Sequence, residues 1–294
     1  MKRIITIQDI SCVGRCSLTV ALPIISACGV ETAILPTAVL STHTAFPKYT
    51  FCDLTDQIQP ISDTFAELGI NFDAIYTGYL GSFEQLRLVS DFFDRFDTAP
   101  DGGRTLRIID PVMADNGKLY QGFTPEFAAE MAKLCAKADL ILPNLTEAAF
   151  LLGEEYDPAP SEESIRALLK RLTALGAKRA ALTGISPDPD RIGYYLYDST
   201  TDEYASYYDK KLPVSYHGTG DIFASAAVGN LMRGASYADA LKAAVDFTLR
   251  CMEKTMADPN RRFYGVNFEE AGGGVPPLSD IAAGYDPALV HRDR

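Results

Sequence analysis

The chain has 294 residues, of which 47% are hydrophobic and 22% are charged, and this composition excludes a disordered or fibrous class. Its net charge of -12 disfavours nucleic acid and anionic membrane surfaces as partners, so a small-molecule substrate is expected. No apolar run reaches the roughly 18 residues that a transmembrane helix needs, and residues 1–7 have a strand pattern rather than that of a signal peptide. We therefore expect a cytoplasmic protein. Because α/β folds of about 250 residues or more often form one unit, we also expect a single domain over residues 1–294.

Short β-rich runs alternate with helical patterns over the first two thirds of the chain. The sequence predicts strands at residues 4–7, 31–39, 74–77, 106–110, 140–142 and 179–183. It predicts helices at residues 17–27, 58–68, 83–96, 125–135, 146–152 and 162–175. This alternation is typical of βαβ units, so we expect an α/β fold with a mainly parallel central sheet.

The pattern changes after residue 183. Residues 192–197 and 204–208 alternate in polarity around a polar turn, which predicts a late β-hairpin with antiparallel strands. Two helices follow, at 221–233 and 237–257. From about residue 272, glycine and proline clusters indicate an irregular C-terminal tail.

The most informative segment is Gly218-Thr219-Gly220-Asp221, which an apolar run follows at once. The two glycines let backbone amides crowd together, and the helix that follows directs its positive dipole end at the same point, so the segment predicts an anion site. An acidic side chain at such a site is explained if Asp221 takes a proton from the hydroxyl that attacks a phosphate. Asp is also a favoured helix N-cap, and the two roles are compatible.

Further polar residues follow other predicted strands, where ligands collect in parallel α/β sheets. Asp110 and Asp115 offer oxygen ligands that suit Mg²⁺ held mainly through water and phosphates, although a simple polar loop is the alternative. Asn144 and Glu147 lie one helical turn apart, where they can form a capping box and can also order a metal-bound water, two roles that do not exclude each other. Thr183 either donates its hydroxyl to a phosphate or is an ordinary strand-terminal threonine.

Two aromatic side chains are candidates for contact with a ring. A neutral imidazole at His43 can hydrogen-bond a ring substituent, or it can be a satisfied surface histidine. Tyr79 can stack on a planar ring or simply pack. The sequence has neither a Walker P-loop nor a Gly-x-Ser-x-Gly elbow, so a kinase would need a different phosphate cradle and a serine hydrolase is disfavoured.

Taken in order, residues 110–115, 144–147 and 218–221 resemble the motifs of the ribokinase-like superfamily of small-molecule kinases. Residues 41–44 and 77–82 are similar to the substrate-loop and ring-contact segments of the pyridoxal kinase family within it. The resemblance runs from the first strand to about the helix after Asp221. It implies a three-layer α/β/α sandwich, a homodimer, and ATP-dependent phosphorylation of the 5-hydroxymethyl group of pyridoxal, pyridoxamine or pyridoxine.

The same resemblance implies roles for individual residues. Asp221 is the general base. The charge that develops on the transferred phosphoryl group is bound by the backbone amides of Gly218, Thr219, Gly220 and Asp221. The ATP phosphates are contacted by Asn144, Thr183, Gly184, Gly218 and Gly220. Mg²⁺ is held by Asp110, Asp115 and Glu147. The vitamer is contacted by Asp9, Ser11, His43, Thr44 and Tyr79. The vitamer preference and a requirement for a monovalent cation such as K⁺ stay open.

The first loop departs from the family pattern. Asp9 follows Gln8 where the better-known pyridoxal kinases have serine, so either Ser11 replaces that contact or Asp9 adds a new one. A carboxylate here is also similar to hydroxymethylpyrimidine kinases, which are the alternative enzyme. Their phosphate loop often has cysteine where this chain has Asp221, which favours a pyridoxal kinase. The alternative from another class is a non-catalytic protein that binds the vitamer.

Overall fold

The computed structural model describes residues 1–271, so the predicted irregular tail from about residue 272 lies outside the described residues. The strands are β1 (Arg3–Val13), β2 (Glu31–Thr42), β3 (Phe51–Asp53), β4 (Ala74–Thr77), β5 (Leu106–Ile109), β6 (Ala114–Asp115), β7 (Lys118–Leu119), β8 (Leu140–Ile141), β9 (Arg179–Asp188), β10 (Arg191–Asp198) and β11 (Glu203–Lys210). The helices are α1 (Leu18–Ala27), α2 (Thr55–Glu67), α3 (Phe83–Arg95), α4 (Pro125–Cys135), α5 (Leu145–Leu152), α6 (Glu162–Ala174), α7 (Thr219–Met232), α8 (Tyr237–Ala257) and α9 (Phe268–Ala271).

A nine-stranded sheet forms the centre of the fold, in the order β11-β10-β9-β8-β5-β4-β1-β2-β3. The six strands from β9 to β2 in that order pair in parallel. β10 pairs antiparallel with both β9 and β11. The predicted α/β class, the mainly parallel sheet and the late hairpin are therefore confirmed.

The strands differ from the prediction at several points, and β1 runs to Val13, six residues beyond its predicted end. The short strand β3 pairs antiparallel with β2, so antiparallel pairing is not confined to the late part of the chain. β9 continues to Asp188, five residues beyond its predicted end, because it pairs along its length with β10. A separate two-stranded hairpin, β6 with β7, follows β5 and was also absent from the prediction.

The helices cover both faces of the sheet and bury two apolar clusters. Side chains of α2 to α6 form one cluster, which also takes Ile5 and Ile7 of β1. Side chains of α1, α7, α8 and α9 form the other, which takes Ile4 of the same strand. Because successive strand residues point to opposite faces, one strand contributes to both clusters. The result is the expected three-layer α/β/α arrangement.

Because the central strands are parallel, their C-terminal ends all lie along the same side of the sheet. β1 pairs with β4 only as far as Ile7 opposite Thr77, but its pairing with β2 continues to Val13. The end of β1 therefore extends beyond β4 into the space at which the loops after β4 and β5 begin. Within residues 1–271, no helix combines the length and apolarity needed to cross a bilayer.

Candidate active site

The predicted anion site lies at the N-terminus of α7. Gly218 is the N-cap and has φ 84°, a left-handed conformation that favours glycine. A Cβ atom there would lie 2.0 Å from the carbonyl oxygen of Arg15, so no other residue fits without movement of the loop. The first helical hydrogen bond runs from the amide of Ile222 to the Gly218 carbonyl oxygen. The three amides before Ile222 therefore have no helical acceptor and can bind an anion.

Asp221 is the third residue of α7. The predicted capping role of its side chain is wrong, because the helix begins two residues earlier and Gly218 forms the cap without a side-chain hydrogen bond. Burial, together with the nearby charge of Asp9, raises the pKa of the Asp221 carboxyl to about 7, although a hydrogen bond from the Ser17 backbone opposes the rise. A carboxyl with a pKa in this range can exchange a proton with a ligand near neutral pH.

Asp110 follows β5 directly and lies beneath the same edge of the sheet. The residue is buried, and its pKa is raised well above the usual range by burial first and then by the charges of Glu147 and Asp221. The carboxyls of Asp110, Glu147 and Asp221 therefore lie close enough to interact electrostatically. A cluster of this kind gains stability when a ligand brings positive charge to it.

Asn144 and Glu147 form the predicted capping box at the start of α5. Glu147 Oε2 accepts the Asn144 backbone N–H at 2.9 Å, and Glu147 Oε1 accepts the Met113 backbone N–H at 3.2 Å. Asn144 Oδ1 accepts the Glu147 backbone N–H at 2.9 Å, and its Nδ2 donates to the Ala114 carbonyl oxygen at 2.9 Å. The pair thus holds the loop after β5 against α5. Burial raises the pKa of Glu147 to about 8.

The three carboxyls predicted to hold Mg²⁺ have different surroundings. Within residues 1–271, no group of three or more His, Cys, Asp or Glu side chains has the arrangement of a metal site. Both Glu147 oxygens accept backbone amides, and both Asp115 oxygens accept hydrogen bonds from Asn116 at the surface. Asp110 is therefore the carboxyl that best fits a hydrated Mg²⁺, since this ion commonly takes one or two carboxylates together with phosphates.

A cavity of about 240 Å³ lies beside this loop. Its lining includes the predicted phosphate contacts Asn144, Thr183 and Gly184, and Asn144 also forms a β-bridge with Thr183. Lys211 lines the cavity as well, and its Nζ donates to Ser186 Oγ at 3.1 Å. Its neighbour in the sequence, Lys210, instead forms an ion pair with Glu253 on α8.

The residues predicted to contact a ring have different surroundings, and among them Asp9 is close enough to Asp221 to raise the pKa of its carboxyl. Ser11 is fully buried, and its Oγ has no hydrogen-bond partner in the described part of the chain. Tyr79 is half-buried and packs on Phe123 with ring centroids 5.5 Å apart, as the packing alternative expected. Asp9 raises the pKa of Tyr79, although less than burial does, which places the two side chains in one environment. Thr44 lies in an exposed turn.

His43 is buried rather than at the surface, with 3% of its area exposed. Its Nδ1 accepts the Ala45 backbone N–H at 3.2 Å, so Nε2 carries the proton that is donated to the Tyr264 carbonyl oxygen at 2.9 Å. Both ring nitrogens are therefore engaged within the protein. The His217 ring lies 4.3 Å from the His43 ring, centroid to centroid. Desolvation lowers the His217 pKa to about 4, so this unpredicted neighbour of the anion site is neutral.

Comparison with known proteins gives consistent similarities. The sequence model of the phosphomethylpyrimidine kinase family matches residues 22–266. A pyridoxal kinase of Dictyostelium discoideum is 26% identical over 77% of this chain and 77% of that protein.

Two solved structures are similar over nearly the whole chain. A protein of Bacteroides thetaiotaomicron, described as a candidate phosphomethylpyrimidine kinase and solved with pyridoxal, is 40% identical over 92% of this chain and 94% of its own, with a TM-score of 0.86. The pyridoxal kinase of Lactobacillus plantarum is 30% identical over 97% of this chain and 100% of its own, with a TM-score of 0.85. The fold described above therefore recurs in both.

Proposed function

The chain belongs to the phosphomethylpyrimidine kinase family, and on this premise we propose that it is a pyridoxal kinase. It transfers the terminal phosphoryl group of ATP to the 5-hydroxymethyl group of pyridoxal, pyridoxamine or pyridoxine. Support for this vitamer class comes from the 40% identical relative solved with pyridoxal and from the 30% identical pyridoxal kinase. The single observation that carries the chemistry is the position of Asp221 in the first turn of α7 with a pKa of about 7.

Asp221 acts as the general base in this proposal. Its carboxylate takes the proton of the substrate hydroxyl as that oxygen attacks the phosphorus atom, and a base works best when its pKa is close to the working pH. The amides of Thr219, Gly220 and Asp221 bind the charge on the transferred group, since phosphoryl transfer depends on positioning and charge neutralisation more than on covalent chemistry. Gly218 sets the direction of these amides through its left-handed conformation.

The cavity next to α5 is the proposed site of the ATP phosphates. Asn144, Thr183 and Gly184 line it, and Lys211 adds the positive charge that a polyphosphate requires. Asp110 is the proposed contact for hydrated Mg²⁺, which when bound would neutralise phosphate charge. The Glu147 side chain orients the loop by accepting the backbone N–H groups of Met113 and Asn144, and Asp115 lines the same cavity.

We also propose that the ring of the vitamer lies near Asp9, Ser11 and Tyr79, with His43 and Thr44 at the border of that space. Residues 1–294 form one domain, two copies form a homodimer, and the protein works in the cytoplasm. A requirement for a monovalent cation such as K⁺ is an open question that an activity assay in K⁺-free buffer answers.

A comparison of two substrates tests the proposed function. With ATP and magnesium, pyridoxal should have a higher kcat/KM than hydroxymethylpyrimidine. The reverse order would assign the enzyme to hydroxymethylpyrimidine instead. If neither compound is phosphorylated and pyridoxal nevertheless raises the Tm, the protein binds the vitamer without catalysis, because a ligand stabilises the state to which it binds.

A further inference from the structure

Asp9 lies where the first strand leaves its neighbour. β1 pairs with β4 no further than Ile7, so Asp9 is beyond the last pair of that ladder. The register of β1 against β2 also shifts at Asp9, where Gln8 pairs with Pro36 but Ile10 pairs with Val39. Such an irregularity redirects side chains, and it is common beside ligand sites. Asp9 is therefore held at the open carboxyl edge of the sheet.

The Asp9 carboxyl is buried without a matching positive charge. Only 6% of the residue is exposed, and this burial raises its pKa against the weaker effects of a Ser17 hydrogen bond and the nearby His43. No lysine or arginine of residues 1–271 lowers the Asp9 pKa by its charge. The acidic neighbour is Asp221, whose own pKa is raised in part by Asp9.

The one basic side chain of the first loop does not compensate this charge. Arg15 lies six residues after Asp9, but its guanidinium group binds the side chains of Asn267 and Glu269 near the end of the described chain. A buried carboxylate that lacks a cationic partner is costly unless a ligand supplies one. The region around Asp9 and Asp221 therefore favours a ligand that brings a positive group.

We propose that Asp9 selects the substrate by charge, its carboxylate binding a cationic substituent on the ring. This rests on the proposed function, and it names the preferred vitamer. Pyridoxamine carries a 4′-aminomethyl group that is an ammonium ion at neutral pH, whereas the 4′-hydroxymethyl group of pyridoxine is neutral. Because the two molecules share the rest of their structure, Asp9 favours pyridoxamine through the 4′ substituent alone.

The test compares kcat/KM for pyridoxamine and pyridoxine in the full-length protein and in Asp9→Asn. We expect the wild-type protein to prefer pyridoxamine. The Asp9→Asn variant should reduce the ratio of kcat/KM for pyridoxamine to kcat/KM for pyridoxine by about tenfold or more, the effect of losing one charge-assisted hydrogen bond. The change should appear mainly in the KM for pyridoxamine. The ratio is the relevant quantity, because Asp9 also influences Asp221 and so can change kcat for both vitamers equally.

Two further variants keep the result interpretable. Cys12→Ser alters an exposed residue of the same strand and should leave the ratio unchanged. Asp9→Ser removes the charge with a smaller side chain and should lower the ratio as Asp9→Asn does. The ratio can then be measured in one of the two variants if the other folds poorly. Equal losses on both vitamers would overturn charge selection, because Asp9 would then contact a part that they share.

Binding provides a readout that does not depend on turnover. Pyridoxamine should raise the Tm of the wild-type protein more than pyridoxine does at the same concentration, and Asp9→Asn should abolish the difference. Equal increases in the wild-type protein would overturn the inference. Inactivity on every vitamer would instead contradict the proposed function, and the Tm comparison would still decide whether Asp9 selects by charge.

Discussion

Replacement of Gly218 by alanine tests the construction of the anion site. The new Cβ would lie 2.0 Å from the Arg15 carbonyl oxygen, and φ is 84°. An L-residue in the left-handed region costs about 1–2 kcal/mol, and overpacking adds about 1–3 kcal/mol. With an unfolding entropy of about 2.1 cal/mol/K per residue, a chain of 294 residues loses roughly 1.6 °C per kcal/mol, so the Tm should fall by about 3–8 °C.

Gly220→Ala is the matched control, because a Cβ at that position meets no atom within 4 Å. It should leave the Tm unchanged or raise it, since alanine is favoured over glycine inside a helix. The clash in Gly218→Ala also forces the loop or the start of α7 to move by about 1 Å, a displacement that can lower turnover roughly a hundredfold. Thermal unfolding and steady-state kinetics measure both effects. A Gly218→Ala protein with the Tm and kcat of the wild type would refute the reasoning.

Three further predictions concern the other parts of the site. Glu147→Ala removes both oxygens that accept the Met113 and Asn144 backbone amides, so it should destabilise the protein by about 1–3 kcal/mol, and a denaturant titration with an unchanged midpoint would argue against the two amide contacts. Lys211→Ala should raise the KM for ATP by about tenfold with little change in the KM for the vitamer, and equal KM values for ATP would remove Lys211 from the site. Because Asp221 must be deprotonated and its pKa is about 7, kcat/KM should fall about tenfold for each pH unit below that value. A kcat/KM that stays constant between about pH 5 and about pH 8 would contradict this role.

The parts of the fold that the sequence predicted well are those with local signals. α4 and α8 begin and end at the predicted residues. In each, the side chain of the N-cap residue accepts a backbone N–H of the first turn, Thr124 from Phe127 and Ser236 from Asp239. β3 and the β6–β7 hairpin escaped prediction because they are short and lack a buried apolar run, unlike the equally short β8, whose two residues are both buried. Such short segments are too brief to show a periodic pattern, and all of β3 is exposed.

The candidate site was predicted from motifs that follow strands, and these motifs do come together. The capping box of Asn144 and Glu147 could be found because both of its members lie within one helical turn. The approach of Gly218 to Arg15 could not, since it joins loops about 200 residues apart in the sequence and leaves no local pattern. The same reason explains the error over the Asp221 cap, because the N-cap of α7 is Gly218, which lies against the Arg15 carbonyl oxygen.

The central claim is that Asp221 is the general base, and Asp221→Asn tests it most directly. Asparagine keeps the shape of the side chain but cannot take a proton. Because burial holds the pKa of the wild-type carboxyl above its ordinary value, ionisation at pH 8 destabilises the folded state, so the variant should be at least as stable there. We predict that it binds pyridoxal and ATP as the wild type does and loses at least about a hundredfold in kcat. A stable variant with near-normal kcat would contradict the account.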